Sequence, residues 1–140
     1  MGNEIENLLP HRPPFLFVDE IVHADEKGIT AKHVFTANEF FFKGHFPEYP
    51  VVPGVILVET MAQSGAAGLR KAGLVDDSAL FFLVSVVKAK FRRQVRPGHE
   101  LRSEIANLKV SPKIIRQSGR AFVGDELAAE AEWMCLAGQD

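Results

Sequence analysis

The segment Gly54–Lys71 is the strongest constraint on the fold, because it reads as one long helix that is apolar on nearly every face. No proline interrupts it, and the basic residues and glycine of Arg70–Gly73 favour a helix end there. Val51–Leu69 is long enough to cross a bilayer, but Glu59 and Gln63 lie inside it. A helix without a polar face has to be enclosed on all sides. We therefore predict a buried central helix and no membrane insertion.

Strands are predicted on both sides of this helix, with short turns between them. The predicted strands are Phe15–Ala24 and Ile29–Phe35 before the helix, and Leu80–Val95, Glu100–Val110, Lys113–Val123 and Glu126–Leu136 after it. We expect successive strands joined by short turns to pair antiparallel. Asn38–Pro53 is rich in proline and phenylalanine and is predicted to be irregular. No repeat or linker divides residues 1–140, which predicts a single α+β domain with a curved antiparallel sheet around one helix.

Charge and composition argue against several classes of protein. A formal net charge of −2 argues against general nucleic-acid binding. The N-terminal residues lack the pattern of a signal peptide, and the one cysteine, Cys135, has no partner for an internal disulfide. The sequence holds no HExxH or CxxC motif, and its histidines other than His45 are predicted to be loop or strand-surface residues: His11, His23, His33 and His99. We expect a cytoplasmic protein with a buried thiol and with no metal or other cofactor.

Three features near the start of the helix propose one active site. Glu59 lies mid-helix in GVILVETMAQSGAAGL with no cation within one turn, so a buried carboxyl there is expected to keep its proton. His45 lies in GHFP, and Pro53-Gly54 opens the helix with free N–H groups. An acid, a base and backbone donors are the groups needed to abstract a proton next to a carbonyl and expel a β leaving group.

Four stretches of the chain carry a resemblance to a known family: LPHRPPFLFVDEI, NEFFFKGHFPEYPVVPGVILVETMAQ, KAKFRRQVRPGHEL and LAAEAEWM. They are similar to the Z-type beta-hydroxyacyl-acyl carrier protein dehydratases of bacterial fatty-acid synthesis, over almost the whole chain. The resemblance implies a hot-dog fold and a homodimer with one continuous sheet, commonly assembled as a trimer of dimers. The chain departs from the family at Pro13, where tyrosine is usual, and at Ser85-Val86-Val87, where a glycine-containing segment is usual.

The resemblance also assigns roles to residues of the predicted site. The GHFP histidine matches His45 as the base, and the helix acid matches Glu59, which in this family reaches the site from the partner protomer. Gly54 matches the glycine whose N–H holds the thioester carbonyl, and Gln63 matches a supporting hydrogen-bonding residue. The predicted substrate-binding residues are Gly54, Val55, Gln63, Phe46 and Phe81. The implied reaction converts (3R)-3-hydroxyacyl-acyl carrier protein to the trans-2-enoyl product in type II fatty acid biosynthesis.

An acyl chain needs an apolar tunnel, and the phenylalanines around the predicted site are candidates for its wall: Phe40, Phe41, Phe42, Phe46, Phe81 and Phe82. Ordinary core packing explains each of them equally well when it is taken singly. Acyl chain length is therefore left open, as is the pathway served, whether membrane lipid, lipid A or a specialised polyketide.

A basic stretch interrupts the mildly acidic chain and is predicted to dock the acidic acyl carrier protein. It comprises Lys88, Lys90, Arg92, Arg93 and Arg96. In a regular strand Lys88, Lys90 and Arg92 share one face. A solvated strand face without a partner is an equal alternative.

Two other functions remain open at this stage. A hot-dog thioesterase would hydrolyse the same class of thioester, with a carboxylate aimed at a water molecule. A non-catalytic acyl-binding subunit would share the fold, but the retention of both His45 and Glu59 favours an enzyme. For single residues, Glu59 could instead point outward or pair with a distant arginine, and His45 could be a hydrogen-bonded core residue.

Overall fold

The computed structural model describes residues 4–138, and the predicted helix is its central element. A short helix α1 (Glu4–Leu8) begins the described chain, a 3₁₀ helix spans Phe40–Lys43, and α2 spans Gly54–Lys71. The strands are β1 (Glu20–Ala24), β2 (Gly28–Val34), β3 (Phe81–Phe91), β4 (Glu100–Val110), β5 (Ile114–Val123) and β6 (Glu126–Ala137). The bounds of α2 agree with the prediction. The strand predicted from Phe15 begins only at Glu20, and the one predicted to reach Val95 ends at Phe91.

The six strands form one antiparallel sheet in the order β1-β2-β4-β5-β6-β3. The prediction that successive strands pair is wrong for β3 and β4, because β3 pairs with β6 and β4 pairs with β2. In the connection that follows β3, the N–H of Arg92 donates to the Ala128 carbonyl, and the Val95 carbonyl accepts from the Val52 N–H. Val95 is fully buried. The turn at Arg96–Gly98 therefore ends a crossover and does not close a hairpin.

Helix α2 contacts all six strands, and most of its residues are buried, as its apolar sequence predicts. The helix and sheet approach closely at Gly68, where an added Cβ would lie 2.3 Å from Cγ1 of Ile29. The largest buried apolar side chains include Met61 and Leu69 of the helix itself, and Phe17, Phe35, Leu101 and Trp133 around it. Within residues 4–138, no helix combines the length and the apolarity needed to cross a membrane.

Strand β3 differs from the strands inside the sheet. Buried and exposed positions alternate along most of β5, whereas every residue of β3 after Phe81 is exposed in the single chain. The exposed large apolar side chains of β3 are Phe82, Leu83, Val84, Val86, Val87 and Phe91. Because β3 is also an edge of the sheet, one row of its backbone groups has no neighbouring strand within residues 4–138. A long apolar edge strand of this kind is typical of an interface.

Candidate active site

Glu59 lies on α2 with a side chain that is 22% exposed, so it is half-buried and not fully enclosed as the sequence suggested. Its Oε2 accepts a hydrogen bond of 2.9 Å from Nε2 of Gln63, which follows one helical turn later. His11 Nε2 lies 3.7 Å from the same oxygen. Glu59 therefore faces the side chains of Gln63 and His11. It neither points outward nor pairs with a distant arginine.

Gln63 connects Glu59 to the segment that precedes β1. Its Nε2 also donates to the Phe15 carbonyl at 3.2 Å, and its Oε1 accepts from the Phe17 N–H at 2.8 Å. The residue is only 2% exposed, so its amide makes these bonds inside the protein. The position of the carboxylate is thereby coupled to the backbone of residues 15–17.

The Glu59 carboxylate faces a cavity of about 200 Å³ whose wall includes His11, Phe81, Phe82 and Cys135. Burial lowers the pKa of His11 against the opposing effect of the Glu59 charge, and Arg70 and Arg12 lower it further. Burial, together with the Glu59 charge, raises the pKa of the Cys135 thiol to about 11. The cavity wall is thus largely apolar, and the predicted buried cysteine is confirmed.

His11, predicted to be a loop or strand-surface residue, is a neighbour of Glu59. Its contact with Glu59 joins two segments far apart in the chain. The sequence did contain one indication of a role for His11, because it lies in LPHRPPFLFVDEI, one of the stretches that carry the family resemblance.

His45 follows the 3₁₀ helix and is oriented by Val51. Its Nδ1 lies 3.1 Å from the Val51 carbonyl, and its own carbonyl accepts from the Val51 N–H at 3.1 Å. Because a carbonyl can only accept, Nδ1 carries the hydrogen, and in the neutral ring Nε2 keeps a lone pair for a proton. The ring stacks on Phe46 at 4.3 Å between centroids. This tautomer suits a general base.

The first residues of α2 present unused backbone donors beside His45's loop. Pro53 is the N-cap, and the first N–H groups of a helix have no acceptor within it. A Cβ added to Gly54 would lie 3.0 Å from the Phe91 ring, so a side chain there would displace that ring. Val55 is 75% exposed. We call residues 44–53, between the 3₁₀ helix and α2, the His45 loop. None of them lines the Glu59 cavity of the same chain.

Three comparisons bear on what this arrangement is. Residues 9–132 match the family model of the FabA-like domain. A relative from Desulforamulus reducens named 3-hydroxyacyl-acyl-carrier-protein dehydratase FabZ is 50% identical over 139 residues, covering 98% of this chain and 96% of the relative. A relative of the same name from Pelotomaculum thermopropionicum is 45% identical over 134 residues, covering 94% of each chain. This chain belongs to the FabA-like family, as a FabZ-type member.

Solved structures support the fold of this FabZ-type chain. The dehydratase heterocomplex ApeI:P from Xenorhabdus doucetiae matches with a TM-score of 0.80 at 14% identity, covering 100% of this chain and 94% of the other. A hypothetical thioesterase with coenzyme A from Streptococcus pneumoniae matches with a TM-score of 0.62 at 6% identity, covering 86% of each chain. At such identities the likeness concerns the fold alone, and it confirms the predicted α+β hot-dog fold. The fold by itself does not separate dehydratases from thioesterases.

The basic stretch of this FabZ-type chain is less positive than its sequence suggests. Glutamates of β6 pair with three of its five cations: Lys88 with Glu132 at 3.7 Å, Arg92 with Glu130 at 2.6 Å and Arg93 with Glu126 at 2.5 Å. The expected regular alternation is also wrong, because Lys88 has a φ of 56° and the pairing with β6 shifts between Val87 and Lys90. An extra residue in the strand redirects the side chains that follow it.

The candidate tunnel phenylalanines divide into two groups. Phe41 and Phe42 are buried and pack edge-to-face at 4.7 Å between centroids, so core packing accounts for them. Phe40 is 47% exposed, and Phe46 and Phe82 are each 55% exposed. Only Phe81 and Phe82 of the set line the Glu59 cavity. The prediction that Phe46 and Phe81 bind substrate stays a prediction.

His33 is predicted to be a loop or strand-surface residue, and this is wrong, because it is buried on β2. It is 6% exposed and lies between two carboxylates, those of Asp19 and Glu39. The alternation of β2 does place it on the buried face together with Ile29 and Ala31. The sequence alone did not indicate which acidic side chains would make burial of a histidine favourable.

Proposed function

We propose that this chain dehydrates (3R)-3-hydroxyacyl groups carried on acyl carrier protein, giving the trans-2-enoyl product in type II fatty acid biosynthesis. The relatives described above are named 3-hydroxyacyl-acyl-carrier-protein dehydratases. The observation that carries the proposal is the orientation of His45 by Val51, which leaves its Nε2 free as a base. The hydrogen bond from Gln63 to the Glu59 carboxyl supports the second role in the reaction.

In the proposed mechanism His45 Nε2 removes the proton from the carbon next to the thioester carbonyl. The electron pair of that C–H bond forms the C=C bond as the C–O bond to the 3-hydroxyl breaks. Glu59 donates its proton to the departing oxygen, so that water leaves. The Gly54 N–H and the positive end of α2 stabilise the negative charge that develops on the thioester oxygen. Val55 and Gln63 complete the proposed substrate site, with Phe46 and Phe81 against the acyl chain.

We further propose that two copies of the chain join through β3 and that each active site takes His45 from one protomer and Glu59 from the other. The exposed apolar side chains of β3 and its unpaired edge support this arrangement. We propose that the sheets of the two protomers form one continuous sheet, and that three such dimers assemble into a trimer of dimers. The joint site would explain why the His45 loop does not line the Glu59 cavity of its own chain.

The proposed interface can be tested by placing a charge on β3. Val86→Lys should convert the oligomer to monomers in sedimentation experiments and abolish dehydration, because a lysine would be buried against the partner strand. Val22→Lys is the matched control, since Val22 is a similarly exposed valine on β1, at the opposite edge of the sheet. An active Val86→Lys monomer would exclude a site shared between protomers.

Incubation with a 3-hydroxyacyl-acyl carrier protein, followed by mass spectrometry, tests the reaction itself. We expect the loss of one water with the acyl chain still attached. Glu59→Gln and His45→Asn should each lower kcat by roughly 10²–10⁴-fold. Glu20→Gln and His23→Asn are controls for these two changes, because both residues are exposed on β1. Release of a free carrier thiol would instead identify a thioesterase, and near-normal turnover of either site variant would remove that residue from the mechanism.

Docking of the carrier protein on the basic stretch is a further proposal. Lys90 and Arg96 are the members without a short ion pair among the described residues, and Arg96 stacks over the Tyr49 ring at 4.2 Å. Arg96→Glu should raise KM for the carrier-bound substrate and leave a short synthetic thioester unaffected. Equal losses with both substrates would contradict docking at this surface.

The cellular setting and domain organisation are proposed in the same way. We propose that residues 1–140 form one catalytic domain, since α2 contacts every strand. We also propose a cytoplasmic location. An unpaired buried Cys135 supports it, because structural disulfides belong to oxidising compartments.

A further inference from the structure

His33 lies on β2, and both of its ring nitrogens meet a carboxylate. Nδ1 is 2.8 Å from Oδ1 of Asp19, and Nε2 is 2.7 Å from Oε2 of Glu39. Ionised carboxylates only accept hydrogen bonds, so both bonds form together when both ring nitrogens carry hydrogen. The geometry therefore corresponds to a charged imidazolium between two anions.

The surroundings of His33 are otherwise aromatic. The Phe35 ring packs edge-on at 4.6 Å and the Phe17 ring at 5.9 Å between centroids. Asp19 and Glu39 are the charged groups that face the imidazole in the described residues, and the Glu39 side chain is 12% exposed. Burial alone would lower the pKa of His33, but the two hydrogen bonds raise it to about 9. The ring is therefore charged at neutral pH.

On one side, His33 holds the segment that supports Glu59. Asp19 is fixed on β2 by a second bond, in which the Val34 N–H donates to its Oδ2 at 2.8 Å. Two residues earlier, the Phe17 N–H donates to Gln63, whose amide also donates to Glu59. The backbone that orients the proposed acid is thus anchored at Asp19.

On the other side, His33 holds the start of the segment that carries His45. Glu39 precedes the 3₁₀ helix, and its carbonyl accepts from the Phe42 N–H at 3.2 Å. The His45 N–H in turn donates to the Phe41 carbonyl at 3.0 Å. A displacement of Glu39 would therefore move the helix on which the backbone of His45 is fixed.

We propose that His33 is a positioning residue whose imidazolium ties the segment supporting the acid Glu59 to the segment carrying the base His45. The inference rests on the proposed roles of these two residues. In a dimer with shared sites, each His33 supports the base of one site and the acid of the other. Removing the imidazolium leaves Asp19 and Glu39 facing each other without a cation between them. Their repulsion then loosens both segments.

The test compares His33→Gln and His33→Lys with His23→Gln. His33→Gln removes the charge, and kcat should fall about tenfold to a hundredfold with little change in KM, as expected for a misplacement of up to about 1 Å. Lysine keeps a cation with three donors for the two carboxylates, so His33→Lys should recover most of the lost kcat. His23 also pairs with an acid, Asp25, but is exposed on β1, so His23→Gln should behave as the unmodified protein.

Nuclear magnetic resonance of the histidine side chains provides a readout independent of turnover. Both ring nitrogens of His33 should be protonated at pH 8, and the His45 ring signals should move in His33→Gln but stay in place in His23→Gln. Unchanged His45 signals and a normal kcat in His33→Gln would overturn the inference. A folded His33→Lys as slow as His33→Gln would also overturn it, because charge would then not be the property that matters.

Two further measurements keep the inference separate from folding and from the proposed function. If His33→Gln does not fold, the His45 signals of the unmodified protein decide the matter. They should change as His33 loses its proton near pH 9, and in His33→Lys this change should move to higher pH. If the unmodified protein dehydrates no 3-hydroxyacyl thioester, the proposed function fails, while the same signals still show whether His33 positions His45.

Discussion

His33 and His11 lie beside carboxylates in different regions of the same chain, and their pKa values shift in opposite directions. His33 hydrogen-bonds to Asp19 and Glu39 at 2.8 and 2.7 Å, and its pKa is raised to about 9. His11 lies 3.7 Å from the carboxylate of Glu59, and its pKa is lowered. Burial lowers the pKa of both rings. The difference lies in how many short bonds oppose that effect.

The comparison shows that proximity to an acid does not by itself charge a histidine. Direct hydrogen bonds to two anions outweigh the desolvation of His33, whereas a longer contact with one anion does not outweigh that of His11. A charged His33 suits a structural support that must stay in place. A neutral His11 places no fixed cation beside the proposed acid Glu59. The two environments therefore fit different roles.

Replacing each histidine by leucine should produce the largest contrast. His33→Leu leaves Glu39 nearly buried without its cation, and we expect it to lower the free energy of unfolding by about 3 kcal/mol. His11→Leu breaks only a long, partly exposed contact and should cost less than about 1 kcal/mol. Urea unfolding at pH 7 measures both. Equal losses would mean that the His33 bonds contribute no more than an exposed pair.

The pH dependence of stability should differ between the two sites in sign. The folded pKa of His33 is above its unfolded value, so its contribution is fully present below pH 6.5 and is lost as the pH rises through about 9. The loss should be roughly 2–3 kcal/mol. The difference in unfolding free energy between the unmodified protein and His33→Gln, measured from pH 6 to pH 10, gives this loss. A constant difference across this range would contradict the assignment of a raised pKa.

Much of this fold could be predicted from the sequence, and the exceptions have physical causes. Periodicity and end signals located α2 at Gly54–Lys71, because helix bounds depend on local residues. The separation of β3 from β4 was not predicted, since it depends on the pairing of β3 with β6, a strand distant in the sequence. Short turns indicate a reversal of direction, but they do not say which strand is the neighbour.

The candidate site was predictable to a similar extent. An acid and a base were singled out as Glu59 and His45 because each is unusual in its local context. The partners that orient or surround them, such as His11 and the carboxylates around His33, lie on other elements. Such contacts arise only when the chain folds, and no local pattern marks them.

His11 should make the protein less stable at acidic pH. Its folded pKa is lowered, so its unfolded form binds protons more readily, and stability should fall as the pH drops below 6.5. The change should be smaller than that of His33, since the ring is partly exposed and Glu59 opposes the shift. The difference in unfolding free energy between the unmodified protein and His11→Gln, followed from pH 7 to 5, measures it. If the unmodified protein instead gains stability relative to His11→Gln as the pH falls, the pKa of His11 is raised and not lowered.

Cys135 provides the finest test of the Glu59 region, because its thiol faces the same cavity as His11. Burial is the main reason that its pKa is raised to about 11, and the Glu59 charge adds to it. Glu59→Gln removes that charge, so the thiol pKa should fall slightly and alkylation at a fixed pH should become modestly faster. Glu20→Gln, remote from the thiol on β1, should leave the rate unchanged. If Glu59→Gln does not change the rate either, burial alone accounts for the raised pKa of the thiol.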